Sequence, residues 1–248
     1  MPQIQLAVLL LQLPDPSSAL QCQLNHSINK VGLCVICSCT NPKHGEPIVG
    51  CTAPDKMSKC FGNDLGYSVI QVPSDALSRS KMDQLLRDLG KVKMPKPPEE
   101  PFRFFFYFFG HGNSTEICLN DGNFERSRII KEIQKIDRNL CKIVLFDSCR
   151  LARSSQTEEK EQYPKSVNTL VIHANEYKSE AFYSTSDKFP EMKGCGLVTY
   201  FFTKLAPIRN EPLSAVLTEV RRNVDDFTHE NTATANYHQM LVFEDRLM

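Results

Sequence analysis

Two reactive side chains follow long apolar runs of the sequence. His111 comes directly after FRFFFYFFG, and Cys149 follows KIVLFDS. Because reactive groups gather at the carboxyl ends of strands in an open parallel sheet, we expect the two side chains to meet at one sheet edge. An imidazole beside a thiol favours the nucleophilic thiolate and can then protonate a leaving amine. The pair therefore predicts nucleophilic catalysis by Cys149, with His111 as its proton-transfer partner.

The backbone around this pair supplies the donors that acyl transfer needs. Glycines flank His111 and allow a substrate carbonyl to approach the chain. The N–H groups of Gly112 and Cys149 form the candidate oxyanion hole, in which one donor is typically worth about 10²–10³ in rate. Alone, a cysteine at a strand end is usually a buried thiol, and a Gly-His-Gly tripeptide is a common turn. Their combination at the ends of two apolar runs favours catalysis.

The elements that must position these residues are strands alternating with helices. Apolar runs predict strands over residues 31–37, 67–72, 102–109, 142–146, 169–173 and 239–243. Amphipathic stretches predict helices over residues 53–61, 80–89, 125–140, 195–205 and 212–227. Such alternation is typical of an α/β fold with a mostly parallel sheet and helices on both faces.

The composition limits the function classes. The chain has 248 residues, of which 41% are hydrophobic, enough for one α/β domain with a sizeable core. Lys plus Arg and Asp plus Glu both number 29, and no basic run with interleaved aromatic residues occurs. This balance gives no electrostatic attraction to nucleic acid or to an anionic membrane, so neither is an expected partner.

The ten cysteines favour a reducing compartment over a disulfide-stapled fold, because several lie inside apolar runs where free thiols act as small hydrophobes. We therefore expect a cytoplasmic protein. One alternative is a zinc or redox module, since Cys34, Cys37 and Cys39 with His44 or Cys51 resemble zinc-ligand spacing. Strand alternation, however, puts Cys34 and Cys37 on opposite faces. No metal or cofactor is expected.

The first 30 residues contain a short apolar core over residues 6–13. This core is too short to span a bilayer, which takes about 20 residues. It has the length of a signal-peptide core but lacks a basic region before it. We expect residues 1–30 to be a pro-segment or a segment that docks on the domain, with secretion as the alternative.

The motif FFGHG, followed by a helix and then IVLFDSCR, is similar to the two catalytic motifs of caspases, paracaspases and metacaspases. Residues 53–72, 180–182 and 196–205 also resemble family segments, in the same order. The resemblance covers residues 31–248. It implies a caspase-like three-layer sandwich with a mostly parallel six-stranded sheet, and a cysteine endopeptidase acting on proteins or peptides in cell death or signalling.

The chain departs from the caspase pattern in informative ways. Caspases carry Gln-Ala-Cys-x-Gly with the histidine about fifty residues upstream. Here the sequence is Asp-Ser-Cys-Arg-Leu, and His111 lies 38 residues before Cys149. The missing glycine after Arg150 and the short spacing favour an alternative function, a catalytically silent homologue that acts as a scaffold or dimerisation partner. Retention of both His111 and Cys149 argues against it.

Acidic residues near the motifs predict the substrate preference. Asp147 resembles the acid that lines the S1 pocket of paracaspases and metacaspases, to which the motif is most similar. The S1 arginine of caspases has no counterpart in GEPIVGCTAPD. Asp55 lies near the place of a further pocket acid, and Glu180 is a third candidate. Such a pocket would bind Arg or Lys at P1. The alternatives are a helix or loop cap for Asp147 and an exposed first-turn carboxylate for Asp55.

The resemblance also divides the chain. Residues 31–149 are large-subunit-like, residues 150–166 form a polar linker, and residues 167–248 are small-subunit-like. The linker offers Arg150, Arg153 and Lys160 as basic self-cleavage sites. The last predicted strand is where caspases and paracaspases dimerise, and a bare apolar edge strand invites association. A homodimer through this strand is therefore expected.

Overall fold

A computed structural model describes residues 31–91, 103–137, 140–150, 168–175, 180–181, 183–184, 189–207, 213–230 and the backbone of 242–244. The strands are β1 (Gly32–Cys39), β2 (Ser68–Val72), β3 (Arg103–Gly110), β4 (Glu116–Leu119), β5 (Gly122–Glu125), β6 (Cys141–Asp147), β7 (Thr169–His173) and β8 (Val242–Glu244). The helices are α1 (Ala53–Lys59), α2 (Arg79–Lys91), α3 (Arg126–Lys135), α4 (Leu197–Leu205) and α5 (Leu213–Glu230).

The main sheet has the strand order β2-β1-β3-β6-β7-β8 in the described part of the chain. The strands from β2 to β7 in this order pair in parallel, and β8 pairs antiparallel with β7. The predicted α/β class and the mostly parallel sheet are confirmed. The parallel part contains five strands, and the sixth position holds only three residues, Val242–Glu244.

The central position of β3 follows from its sequence. Alternate side chains of a strand point to opposite faces of the sheet. In β3 the residues 104, 106 and 108 pack in the core on one face, and the residues 105, 107 and 109 pack in the core on the other. All six are phenylalanine or tyrosine and almost fully buried. A strand without polar alternation must be covered on both sides, as this one is.

Helices cover the sheet on both faces, which gives the three layers. The core that contains Phe104 and Phe106 is closed by apolar side chains of α2 and α3 and by the β4–β5 hairpin. The core that contains Phe105 and Tyr107 is closed by α1, α4 and α5. The predicted helices are therefore present, although α3 ends at Lys135, earlier than the expected residue 140.

The cysteines of β1 lie on both faces of the sheet. Cys34 belongs to the core on the α1 side, whereas Cys37 and Cys39 belong to the core on the α2 side. All three are free thiols. Within the described ranges, no three His, Cys, Asp or Glu side chains come together as metal ligands would. The alternative of a zinc module on these cysteines therefore has no converging ligand set here.

The β4–β5 hairpin was not predicted from the sequence. It is a pair of four-residue antiparallel strands joined at Asn120–Asp121, and it stands apart from the main sheet. Its strands are too short to show a clear hydrophobic period. The Asn-Asp-Gly sequence at the turn was the available signal. The hairpin matters because it delivers Arg126, the first residue of α3, to the space beneath the sheet edge.

Some predicted segments lie outside the described residues. These are residues 1–30, most of the 150–166 linker and most of the last predicted strand. None of the helices in the described ranges combines the length and apolar character that spanning a bilayer demands.

We predict that Phe105→Ala lowers the free energy of unfolding by about 3–5 kcal/mol, because it leaves a cavity in a close-packed core. The Phe105 ring lies 4.5 Å from the Phe61 ring and 5.9 Å from the Phe202 ring, measured between centroids. Urea unfolding measures the loss. Val49→Ala is the control, because Val49 is 77% exposed. Equal losses in the two variants would contradict this description of the core.

Candidate active site

The pairing of β3 with β6 brings the two motifs that contain His111 and Cys149 to one edge of the sheet. The register pairs Phe109 with Asp147 as the last partners. His111 and Cys149 each follow two residues later in their own chain segments. A Cβ placed on Gly112 would lie 3.2 Å from the Cys149 carbonyl oxygen, so the two loops are in close contact. The predicted meeting of the two loops at this edge is therefore what the structure shows.

The His111 ring is held by the loop that follows β1. Its Nε2 lies 2.8 Å from the carbonyl oxygen of Glu46. Because a carbonyl oxygen only accepts hydrogen bonds, Nε2 carries the proton and Nδ1 is left as the basic nitrogen. This tautomer is the one that the predicted proton-transfer role of His111 requires. The sequence could not indicate the contact, because any residue supplies a carbonyl.

The Cys149 thiol is half-buried at the same edge. Its Sγ accepts a hydrogen bond of 3.4 Å from the Ala181 N–H. Burial raises the pKa of the Cys149 thiol above 9.0, and the charges of Glu180 and Asp147 add to the increase. The Ala181 N–H and the Arg126 guanidinium act in the opposite direction and lower this pKa. The balance keeps the resting thiol protonated, so a nearby base is needed to form the thiolate.

The Gly112 backbone, which carries one donor of the predicted oxyanion hole, is held by the β4–β5 hairpin. Gly112 bridges to Ile117 of β4, and the two hydrogen bonds of this bridge use the N–H groups of Asn113 and Cys118. The hairpin therefore fixes the Gly112 backbone without using its N–H. The role of the Gly112 and Cys149 N–H groups toward a substrate stays a prediction.

Asp147 is 2% exposed and faces the start of α4. The Thr199 hydroxyl donates a hydrogen bond of 2.6 Å to its carboxylate, and Tyr107 lies 3.5 Å away. A Cβ on Gly196 would be 2.9 Å from both carboxylate oxygens, so glycine is required there. These contacts are those of a carboxylate at a helix N-terminus. Burial raises the Asp147 pKa from 3.8 to about 6. The S1 role of Asp147 stays a prediction.

Asp55 lines a cavity of about 270 Å³ at the carboxyl ends of β1 and β2. Its carboxylate accepts a hydrogen bond of 3.0 Å from Gln71. The other lining residues are Ser38, Thr40, Cys51, Pro54, Gln71, Pro73, Ser74 and Asp75. Burial, together with the charges of Asp147 and Asp55, raises the pKa of the Cys51 thiol to about 11. Cys51 therefore lies within electrostatic reach of both predicted acids.

Glu180 is exposed next to Ala181, whose N–H contacts the Cys149 sulfur. Its charge raises the pKa of the Cys149 thiol. Of the three predicted acids, Asp147 is therefore buried, whereas Asp55 and Glu180 are exposed.

The sequence reasoning missed one buried side chain at this site, Arg126. Its guanidinium contacts the loops that carry both His111 and Cys149. The residues around it, ERSRIIKEI, have the pattern of an ordinary polar helix start, so the sequence carried no signal of burial.

The family model of the caspase domain matches residues 31–247. No curated protein matches the chain. The match confirms the resemblance drawn from the two motifs at the level of the family. The greater similarity to paracaspases and metacaspases within that family stays a prediction.

We predict that Asp147→Asn stabilises the protein at about pH 7.5, by about 1–3 kcal/mol. The folded-state pKa of about 6 exceeds the ordinary value of 3.8, so the folded protein binds more protons between these values. The stability of the native protein therefore falls as the pH rises through about 6, and the asparagine, which does not ionise, avoids that loss. Urea unfolding at about pH 4 and about pH 7.5 tests this.

The control is Asp226→Asn, because Asp226 is an exposed acid on α5. We expect it to change the free energy of unfolding by less than about 0.5 kcal/mol at both pH values. A stabilisation by Asp147→Asn that is equal at both pH values would contradict the assignment of a raised pKa to this carboxyl.

Proposed function

The chain belongs to the caspase-domain family of cysteine peptidases, and on that basis we propose that it is an endopeptidase that cleaves after Arg or Lys. In this proposal Cys149 is the nucleophile and His111 is its proton-transfer partner. One observation carries the proposal: the register that ends at Phe109 and Asp147 sends both motif loops out from the same sheet edge. Peptide hydrolysis requires that arrangement, because proton transfer needs groups within hydrogen-bond reach.

The reaction proceeds through an acyl-enzyme. The Cys149 proton passes to Nδ1 of His111, and the sulfur attacks the scissile carbonyl carbon to form a C–S bond. The N–H groups of Gly112 and Cys149 hold the resulting oxyanion. The imidazolium then protonates the leaving amine as the C–N bond breaks. Water, deprotonated by the same imidazole, hydrolyses the thioester and restores the thiol.

Local charge supports a basic P1 residue. The charges of Asp147 and Glu180 act on the Cys149 thiol, and Asp55 acts on Cys51, which also feels the charge of Asp147. With a pKa of about 6, Asp147 is mostly ionised at neutral pH despite its burial. A Lys or Arg side chain would gain from these carboxylates, whereas an Asp side chain would be repelled by them.

The substrates, the compartment and the dimer are also proposed from membership of the family. We propose that the protein cleaves protein or peptide substrates in the cytoplasm, in cell death or signalling, and dimerises through the edge at β8. Self-cleavage in the linker is expected at Arg153 or Lys160, which lie outside the described residues. Arg150 is a poorer self-cleavage site, because its side chain is 1% exposed and would have to leave the core.

A second candidate function is a catalytically silent homologue that acts as a scaffold. The observation that favours it is the resting state of the thiol, whose pKa is raised by burial and whose sulfur already accepts the Ala181 N–H. The two candidates differ in one measurable property, hydrolysis by the wild-type protein.

We predict that peptidyl-aminomethylcoumarin substrates with Arg or Lys at P1 are hydrolysed, and that a P1 Asp substrate is cleaved more slowly. Cys149→Ala and His111→Ala should each lower kcat by at least about 10³-fold, because each removes a member of a coupled pair. Cys141→Ala is the matched control, since Cys141 begins the same strand at the opposite end of the sheet. Wild-type protein that hydrolyses none of these substrates, even after forced dimerisation, would favour the scaffold function.

We predict that Asp55→Asn lowers the preference for P1 Arg over P1 Asp by about tenfold, the effect of losing one partly screened charge pair. The ratio of kcat/KM for the two substrates measures this, and it cancels any general loss of activity. Asp226→Asn is the control for removal of an exposed acid. An unchanged ratio in Asp55→Asn would remove Asp55 from the specificity pocket and leave the Cys149–His111 pair unaffected.

A further inference from the structure

We propose that Arg126 is a positioning residue that ties the loop carrying His111 to the loop carrying Cys149. The inference rests on the proposed function, because it assigns Arg126 a task in that same site. Arg126 acts through the segments that bear the thiol and the imidazole. It donates to backbone carbonyls of both segments and to the Ser148 hydroxyl.

The guanidinium reaches both loops with one nitrogen. Its Nη2 donates to the Asn113 carbonyl at 3.0 Å, two residues after His111. The same nitrogen donates to the Ser148 hydroxyl at 3.0 Å and to the Cys149 carbonyl at 2.7 Å. The hydrogens of Nη2 are thus shared between the two loops. A charged donor strengthens each of these bonds relative to a neutral one.

The other end of the group is anchored in the sheet. Nη1 lies 3.4 Å from Nδ1 of His173 at the end of β7, and the guanidinium carbon lies 5.0 Å from the Phe146 ring centroid. Burial and the charges of Arg150 and Arg126 lower the pKa of His173 well below 6.5, so its ring is neutral and can accept. Arg126 itself is 0% exposed. The cation is therefore held by residues of two strands, β6 and β7, as well as by the two loops.

The neighbouring glycine is matched to this cation. A Cβ on Gly112 would lie 2.8 Å from Nη2 of Arg126 and 3.2 Å from the Cys149 carbonyl oxygen. Any side chain at this position would push the guanidinium away from the loop junction. Glycine is thus needed at position 112 for a second reason besides its predicted oxyanion N–H: a side chain there would take the space that Arg126 occupies.

The charge of Arg126 also acts on the thiol. The charged groups that act on Cys149 from the surrounding described segments are Glu180, Asp147 on β6 and Arg126 on α3. His111, after β3, is the proposed proton-transfer partner. Arg150 and His173 complete the set around the guanidinium. Glu180 and Asp147 raise the thiol pKa, and Arg126 lowers it. Loss of this cation should therefore move thiolate formation to higher pH.

Lysine cannot reproduce the contact fully. An ammonium keeps the charge but lacks the planar fork that spans separated acceptors. Arg126→Lys should therefore preserve the electrostatic effect on the thiol and lose part of the loop alignment. Arg126→Met fills a similar volume and removes both. The two variants separate charge from geometry.

The experiment measures alkylation of Cys149 by iodoacetamide from about pH 5 to about pH 10, alongside kcat and KM for a P1 Arg substrate. Trypsin releases residues 143–150, IVLFDSCR, in which Cys149 is the single cysteine. Mass spectrometry of this peptide reports the alkylation of Cys149 separately from the other thiols. The control is Arg128→Met, since Arg128 lies on the same helix and is 50% exposed, paired with Asp83.

For Arg126→Met we expect the alkylation midpoint to move to higher pH and kcat to fall by about 10²-fold, with KM within about twofold. For Arg126→Lys we expect a midpoint near that of the wild type and a partial loss of kcat. For Arg128→Met we expect no change. If Arg126→Met does not fold, Ser148→Ala replaces it, with a loss of about tenfold in kcat from removing one acceptor of the charged donor.

Two results would overturn the proposal. One is an alkylation midpoint and a kcat in Arg126→Met that both equal those of the wild type. The other is a fall in kcat that merely follows a loss of folded protein, with no shift in the midpoint. If the wild type hydrolyses no peptide, the proposed function fails, and the alkylation midpoint still decides whether Arg126 sets the state of the thiol.

Discussion

The parallel pairing of β3 with β6 is the constraint on which the rest of the structure depends. These strands are central, and aromatic side chains of β3 fill the cores on both faces. A one-residue slip would exchange every side chain between the two cores and disrupt the close packing of both, so the register is strongly specified. The same register determines where the chain leaves the sheet after Phe109 and Asp147. The free energy that holds the sheet edge beneath His111 and Cys149 in place therefore comes largely from the burial of apolar side chains away from that edge.

Buried charge at this edge is matched by local hydrogen bonds more than by ion pairs. Asp147 accepts from Thr199 and lies at the start of α4, and the Arg126 guanidinium donates to carbonyl and hydroxyl oxygens. A group held this way carries a desolvation cost in the folded state, which the raised pKa of Asp147 records. Costs of this kind are common at functional sites, where activity and stability compete.

The sequence predicted the parts of the fold that depend on long apolar runs or on apolar residues at helical spacing. The class, the parallel sheet, its helical layers and the edge shared by His111 and Cys149 all follow from such patterns. Contacts that depend on the path of a loop were not predictable. The Glu46 carbonyl could belong to any residue type, and Arg126 has the sequence context of a solvated side chain although the fold buries it completely. Asp147 illustrates a third case. The motif predicted an acid of the S1 pocket, and the structure shows a carboxylate that accepts a hydrogen bond from Thr199 of α4.

The state of the Cys149 thiol brings these constraints together. Burial, Glu180 and Asp147 favour the neutral thiol, while Arg126 and the Ala181 N–H favour the thiolate. A basic P1 side chain entering beside Asp147 and Glu180 would neutralise the groups that oppose ionisation. Substrate of the preferred charge would then make its own nucleophile easier to form, and an acidic side chain would do the opposite. Specificity and activation would in this way share one electrostatic origin. The Arg126 cation would set the pKa of the Cys149 thiol before the substrate binds.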